Sequence, residues 1–257
     1  MNTIDKISVV IITYNEEANI ERCLRSLQFA DEIIIYDGNS TDNTIEICNK
    51  YNCKIHFRNA WNGFGIAKQE AVDFAQNNWV LVIDADEELT ENLIEKLINM
   101  QTTNQSKYSA YKINRKSYFL GKLINYSSWQ SDAPLRLFDK RVGKFNKNIV
   151  HEFVEIDAEV GLIKEHILHY TYPTLKGYLD KMIKYAELGA EQNFQRGKSS
   201  SLSRAILSAI LKFVKMYLLR LGILDGKHGL ILAINSAFGV YLKHTLLMDK
   251  WKLSEKN

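Results

Sequence analysis

The 257-residue chain is short of several things, and each shortage narrows what it does. It has three cysteines, Cys23, Cys48 and Cys53, an odd number without metal-ligand spacing. Met1–Lys6 shows no basic region followed by an apolar one. Together these predict a reducing, cytoplasmic setting rather than a disulfide-stapled secreted fold. No clean apolar run reaches the roughly 18 residues of a membrane span. The nearest stretches, 205–224 and 229–248, are interrupted by Lys212, Lys215, Arg220 and Lys243 and fall short of a transmembrane reading. The first apolar run is not followed by G-x-G-x-x-G, and there is no P-loop, which argues against a dinucleotide oxidoreductase or an NTPase. The Gly-rich loop with a basic residue that suits a sugar nucleotidyltransferase is missing too. No internal repeat is visible, and Gly197–Ser201 is the only linker-like segment.

What is present is ordinary globular composition, 46% hydrophobic and 25% charged, enough for one substantial α/β domain with an appendage. The net charge of +3 is unevenly spread: from Thr171 onward 14 basic residues face 6 acidic ones, near +8, which leaves the rest near −5. A basic tail on an acidic body suits an anionic partner such as a membrane surface, rather than a whole-protein nucleic-acid binder.

The pattern along the chain alternates. Ile7–Ile12, Ile33–Tyr36, Lys54–Phe57 and Trp79–Ile83 read as strands, separated by helical periodicities around 16–27, 43–50 and 66–76. Asn15 is positioned to cap the first helix, with Glu16 and Glu17 in its first turn. Strand–helix alternation at this pace implies a parallel sheet with helices on both faces. Ligands then sit beyond the carboxyl ends of the strands. All three polar clusters, Thr13–Glu17, Asp37–Asp42 and Asp84–Glu87, fall at those ends. Thr90 caps a helix to about Met100. After it Ala110–Phe119, Pro134–Phe138, Ile149–Ile156 and Gly161–His169 read as further strands that extend the sheet. A helix over 174–195 would point Leu175, Tyr178, Leu179, Met182, Tyr185 and Leu188 inward.

The stretch Trp79–Glu87 organises the rest. A buried strand runs into Asp84-Ala85-Asp86, and an extended backbone would put both carboxylates on one side. Such a pair repels itself unless a cation sits between, and carboxylates with phosphate oxygens are what Mg²⁺ or Mn²⁺ prefers. The competing reading is a solvated strand end that serves the next helix. Asp37 suits either a hydrogen bond to uracil or ribose, or simply its turn. Trp61-Asn62-Gly63-Phe64-Gly65 offers aromatic rings and bare backbone for covering a nucleotide, or plugs a loop. Lys68 suits a phosphate or a solvated helix face. His151 suits a metal or diphosphate, or strand packing.

The residues Ile7–Glu17, Asp37–Thr44 and Ile83–Glu87 resemble the family 2 glycosyltransferases of GT-A fold over about residues 7–100. Trp61–Gly65 with Lys68, Arg136-Leu137-Phe138 and Val150-His151-Glu152 resemble a narrower branch that contains the bacterial lipopolysaccharide-core β-glucosyltransferases. Many relatives read Asp-Asp-Gly-Ser or Asp-Ser-Gly-Ser where this chain has Asp37-Gly38-Asn39-Ser40. The resemblance implies an α/β fold: a GT-A type, Rossmann-like, mostly parallel sheet flanked by helices, with a C-terminal helical extension. Residues 1–196 would form the catalytic domain, with 1–100 the nucleotide half and 101–196 the acceptor half. Residues 197–257 would form a basic amphipathic helical tail.

The resemblance further implies an inverting hexosyltransferase that moves glucose from UDP-glucose to a hydroxyl of a lipid-linked glycan. It would work in the cytoplasm or on the cytoplasmic face of the inner membrane. Thr13, Tyr14, Glu16, Asp37, Lys68, Asp84, Asp86 and Arg136 would line the donor site. Asp86, with Asp84 and His151, would hold a Mg²⁺ or Mn²⁺ ion. Inversion needs a carboxylate to deprotonate the acceptor hydroxyl. Asp132 is preferred for that role, with Glu152 as the alternative. Two rival readings are a sugar-1-phosphate nucleotidyltransferase and a non-catalytic sugar-nucleotide or glycan-binding module.

Overall fold

The computed structural model describes residues 4–103, 106–129, 132–147 and 152–254. The chain forms two compact units: residues 1–115 with 132–169, and residues 116–131 with 170–257. The boundary expected near residue 197 falls inside the second unit, because the helix before it packs on the long C-terminal helix.

The first unit opens with β1 (Ile7–Thr13), α1 (Ile20–Arg25), β2 (Glu32–Asp37), α2 (Thr44–Lys50), β3 (Lys54–Phe57), α3 (Phe64–Asp73) and β4 (Trp79–Asp84). Along the chain then follow β5 (Glu87–Leu89), α4 (Glu91–Thr103), β6 (Ala110–Phe119), β7 (Lys122–Leu123), β8 (Leu135–Asp139), β9 (Gly143–Phe145), β10 (Val154–Ile156) and β11 (Val160–Tyr172), of which β7 and the last residues of β6 and β11 belong to the second unit. The main sheet runs β3-β2-β1-β4-β8-β6-β11-β5. Its first four strands are parallel, and β8 then pairs antiparallel with both β4 and β6. The parallel character therefore belongs to residues 7–84, as the alternation of strands and helices predicts.

Alternate residues of the central strands build two cores. Val9, Ile11, Leu81 and Ile83 pack with Cys23 and Leu24 of α1 and Leu93 and Leu97 of α4. Val10, Val80 and Val82 pack on the other face with Ala67, Ala71 and Val72 of α3. The small residues of α3 let that helix lie close on the sheet. Strands buried on both faces explain the unbroken apolar runs.

Two local expectations change. α1 starts at Ile20, not after Asn15. Asn15 has left-handed backbone (φ 54°), and its side-chain oxygen accepts the Thr41 N–H. Thr90 does not cap α4 with its hydroxyl, which instead donates to the His166 carbonyl.

In the second unit, α5 (Leu175–Gln195), α6 (Leu202–Val214) and α7 (Gly226–Ser254) follow. The Thr174 hydroxyl caps α5. The inward face of α5 is Tyr178, Ala186 and Ala190, while Leu175, Tyr185 and Leu188 are exposed. Phe119, Ile124, Tyr178, Met216 and Leu232 form this unit's core. By length and composition the helix over Gly222–Ser254 is apolar and long enough to cross a membrane, where the lysine interruptions alone had spoken against one. Lys227 and Lys243 leave residues 228–242 without a charged residue, which is why it qualifies.

Candidate functional site

Parallel strands aim their carboxyl ends at one side, and the loops there are tied together. The Thr13 hydroxyl donates to Asp37 Oδ1 at 2.7 Å, and the Gly38 N–H donates to the Thr13 carbonyl. The Asn15, Glu16 and Glu17 amides donate to Ser40 Oγ, Thr44 Oγ1 and Asp42 Oδ2. The segment after β1 is thereby stitched to the loop after β2.

Asp37 is fully buried and also accepts from Ser40 N–H and Oγ, each at 2.6 Å. It builds the turn. Tyr14 is exposed beside Gly38, and a side chain at residue 38 would run into Arg58. The Arg58 guanidinium lies over the Trp61 ring at 4.5 Å, and Trp61 meets Phe64 edge-on. Exposed aromatic rings and one cation thus rim the ends of β1 to β3. Gly63, at φ 102°, supplies the backbone bend that starts α3.

The acid after β4 is arranged differently from the expectation. The strand ends at Asp84, and Ala85-Asp86 is a turn. The two-residue period therefore stops at Asp84, and the two carboxylates find different partners. Asp84 Oδ1 is 2.9 Å from Lys68 Nζ, and its Oδ2 is 2.6 Å from Arg136 Nη2. Burial pushes the Asp84 carboxyl up, but the Arg136 and Lys68 charges outweigh it and hold it well below the usual carboxylate range. Asp86 Oδ2 lies 3.2 Å from His169 Nε2, and both side chains are partly open to solvent.

A chain of alternating charge runs through the site. Asp132 pairs with Arg115, Arg115 with Glu87, and Glu87 with Arg136. Arg136 pairs with Asp84, Asp84 with Lys68, and Lys68 with Glu152. The two candidate bases are its two ends. Lys68 is a buried link between two carboxylates, not a solvated helix residue, and Glu152 pairs with it rather than with Arg136. Arg136 Nε is buried without a partner among the described residues. Glu87, part of the acidic cluster after β4, is fully buried and accepts from both arginines and from the Asp84 N–H.

Glu16 joins this acid. Burial raises its carboxyl first, and Asp86, Asp42 and Asp84 add to the rise against the lowering bond from Asn19. The loop after β1 therefore faces the turn after β4, where Asp84 is paired with two cations and Asp86 with His169. Among the described residues no three His, Cys, Asp or Glu side chains are grouped to hold a metal alone. His151 lies outside the described residues. The donor set that fits a divalent cation is Asp86 with His169, beside Glu16, completed by ligand phosphate oxygens. That is how Mg²⁺ is commonly held, by one or two carboxylates plus substrate phosphates. Asp84 fits less well, because both its oxygens already face cations.

The chain is similar in sequence to known proteins. A glycosyltransferase of Rickettsia prowazekii is 31% identical over 262 residues, covering 95% of this chain and 87% of that one. The lipopolysaccharide core biosynthesis glycosyltransferase LpsC of Rhizobium meliloti is 28% identical over 253 residues, covering 93% of each. Among solved structures, S. aureus TarS 1–349 in complex with UDP-GlcNAc has a TM-score of 0.49 at 15% identity, covering 97% of this chain and 92% of that one. The family model described as glycosyl transferase family 2 matches residues 8–156, which span the stitched loops, the Asp84–Glu87 turn and both candidate bases. The protein that carries this site therefore belongs to glycosyl transferase family 2.

Proposed function

We propose that the protein is an inverting hexosyltransferase that moves glucose from UDP-glucose to a hydroxyl of a lipid-linked glycan, such as a lipopolysaccharide core. The acceptor would be met at the cytoplasmic face of the inner membrane. The observation that carries the reading is the meeting of Glu16, Asp84 and Asp86 at one loop cluster, with His169 against Asp86. Glu16 and Asp86 repel a diphosphate, and a cation bound against them would offset that repulsion. LpsC, similar along nearly its whole length, is the support for the acceptor class.

In this reading Asp86 and His169 would hold a Mg²⁺ or Mn²⁺ ion, which when bound would supply Lewis-acid stabilisation for a departing diphosphate. Thr13 and Asp37 keep the loops in register, and Tyr14, Arg58 and Trp61 cover the base and ribose. Arg136 and Lys68 hold Asp84 ionised beside the diphosphate. Asp132 takes the proton of the acceptor hydroxyl. Its side chain is 42% exposed and paired only at the outer end of the charge chain, so substrate can reach it. Glu152 is the more enclosed carboxylate, and Lys68 restrains it.

The test is a donor panel with acceptor extract, Mg²⁺ or Mn²⁺, and separate assays for UDP and pyrophosphate. UDP release from UDP-glucose, abolished by chelator and by Asp86→Asn, is the expected result. Pyrophosphate release from UTP and glucose-1-phosphate would instead make the protein a nucleotidyltransferase. Binding of glycan without turnover of any donor would make it a binding module.

A further inference from the structure

The second unit exposes a surface that its own fold does not explain. On α6, Ile206, Leu207, Ile210 and Leu211 are each about half exposed, at the i, i+1, i+4, i+5 positions of one helix face. The face continues past the helix end. Lys215–Leu219 forms a π turn and Gly222–Asp225 a 3-10 turn. Between and within them Leu218, Leu219, Leu221, Ile223 and Leu224 are exposed, Leu219 at 74%. An apolar tip of this kind on a water-soluble surface marks a contact site.

The tip is rigid. Asp225 is buried, and its carboxylate accepts from the Asn125 and Tyr126 amides and the Ser127 hydroxyl. Lys122 Nζ donates to its carbonyl, and the Ser127 N–H donates to the Arg220 carbonyl. Gly222 and Gly229 let the backbone cross itself, since a Cβ on Gly229 would lie 1.9 Å from the Gly222 carbonyl oxygen. Within this frame Leu221 is held in left-handed backbone, φ 54°, a conformation unfavourable to a leucine. The surrounding bonds enforce a backbone that carries an apolar side chain out to solvent.

The charge on this surface has one sign. Between residues 198 and 248 there are seven Lys and Arg residues and one acid, Asp225. That acid is consumed inside the turn, and none of the seven has an acidic partner among the described residues. Lys212 is lowered by burial and then by Lys215 and Lys243, and His244 by burial and then by Lys243 and Arg204. Each of these groups has cations for neighbours and no carboxylate.

We propose that the Lys215–Asp225 tip and the exposed face of α6 form a membrane-docking wedge. Its leucines enter the headgroup–acyl boundary of an anionic bilayer, and Lys215, Arg220 and Lys227 meet the lipid phosphates. A protein partner with an acidic apolar groove would satisfy part of this, and a second copy of the chain would not. Two copies would oppose the same positive charges across a two-fold contact. The proposal extends the membrane side of the function above, but it rests on the second unit's surface and survives a different donor or acceptor.

The test is flotation of the full-length protein with phosphatidylcholine vesicles, with or without phosphatidylglycerol. Flotation only with the anionic vesicles, reversed by high salt, is the expected result. Each basic residue is worth about fivefold in partition, so Lys215→Glu with Arg220→Glu lowers binding about 25-fold or more. Leu218→Asp with Leu219→Asp abolishes flotation while circular dichroism and gel-filtration volume stay unchanged. UDP release with a soluble acceptor is measured alongside, and retention of that activity by both double variants separates docking from catalysis. Equal flotation on neutral vesicles overturns the proposal, as does indifference to either double variant. Resistance of the wild type and the leucine variant to alkaline extraction would make α7 a spanning helix and overturn it too. A dimer that the leucine pair dissociates, without flotation, would assign the face to a second copy.

Discussion

Arg136 Nη2 lies 2.6 Å from Asp84 Oδ2, with the guanidinium buried and the carboxylate partly open to solvent. The same nitrogen is 2.6 Å from Glu87 Oε1. One arginine therefore joins the acidic turn after β4 to the antiparallel strand β8. Removing it leaves two carboxylates short of a partner, one of them fully buried. Arg136→Met, close in volume but uncharged, is expected to cost about 3–5 kcal/mol, the range for breaking a buried pair. Urea unfolding checks it. Arg136→Lys recovers less than half, because a single ammonium cannot reproduce the guanidinium fork.

The same pair sets an acid limit. The folded Asp84 carboxyl is held below its ordinary value, with burial opposed and outweighed by Arg136 and Lys68. The unfolded chain returns it to about 3.9. The stability it contributes is thus complete above that pH and is lost as pH falls toward the depressed folded value. The gap between wild type and Arg136→Met in urea should be constant from pH 7 to 5 and narrow below about pH 4. A gap that stays constant to pH 2 would show that Asp84 is not the group responsible.

Glu16 has the opposite sign. Its carboxyl is raised by burial and by Asp86, Asp42 and Asp84, so the folded state binds its proton more tightly than the unfolded one does. That contribution is present below the ordinary glutamate value and is lost as pH rises through the raised folded value. At pH 7 the ionised group works against the fold. Glu16→Gln, which keeps an acceptor for Asn19, should raise the urea midpoint at pH 7 and lose that advantage near pH 4. Added Mn²⁺ with UDP should stabilise the wild type more than the variant if the cation sits against this acid.

The two candidate bases are separable by kinetics. A general base contributes about 10²–10⁴-fold in rate. Asp132→Asn should lower kcat by at least 10²-fold with little change in the donor KM. Glu152→Gln should act mainly through Lys68 and Asp84, raising the donor KM and leaving most of kcat. Retention of kcat in Asp132→Asn together with its collapse in Glu152→Gln would transfer the role to Glu152.

The parallel half of the fold was legible because its signals are local. β1 and β4 are unbroken apolar runs, and their alternate residues do fill two cores. The meeting of Thr13, Asp37 and the acidic turn followed from strand ends alone. The partner choices inside the site were not legible. Glu87 finds Arg115 at 28 residues' separation and Arg136 at 49, and Asp86 finds His169 at 83. A buried charge looks like a solvated one until its partner is known. Asp84 and Asp86 take different partners for a local reason, because the strand ends at Asp84 and residues 85–86 turn. On α5 the pattern points the large apolar residues inward, but of these only Tyr178 is buried, and close packing on α7 selects small residues. Ala186 and Ala190 are buried there, and a Cβ on Gly239 would come within 2.8 Å of Met182 Cγ.

Gly229 offers a test of the second unit in which ordinary propensity and packing disagree. Replacing a helical glycine with alanine usually gains about 1 kcal/mol. Here the new Cβ would lie 1.9 Å from the Gly222 carbonyl oxygen and 2.9 Å from Asp225 Cβ. The oxygen is backbone, and Gly222 has little room to retreat, since its own Cβ position is 2.7 Å from the Met216 carbonyl oxygen. Overpacking of this kind costs about 1–3 kcal/mol or more, enough to reverse the gain. Gly229→Ala should therefore lower Tm, at about 2–4 °C per kcal/mol for a chain of this size. Gly239→Ala is the control: the Cβ there meets only the flexible end of Met182, so Tm should hold or rise. If both substitutions raise Tm alike, the turn that carries Leu221 is not held by this backbone crossing, and its left-handed geometry must come from the Asp225 bonds alone.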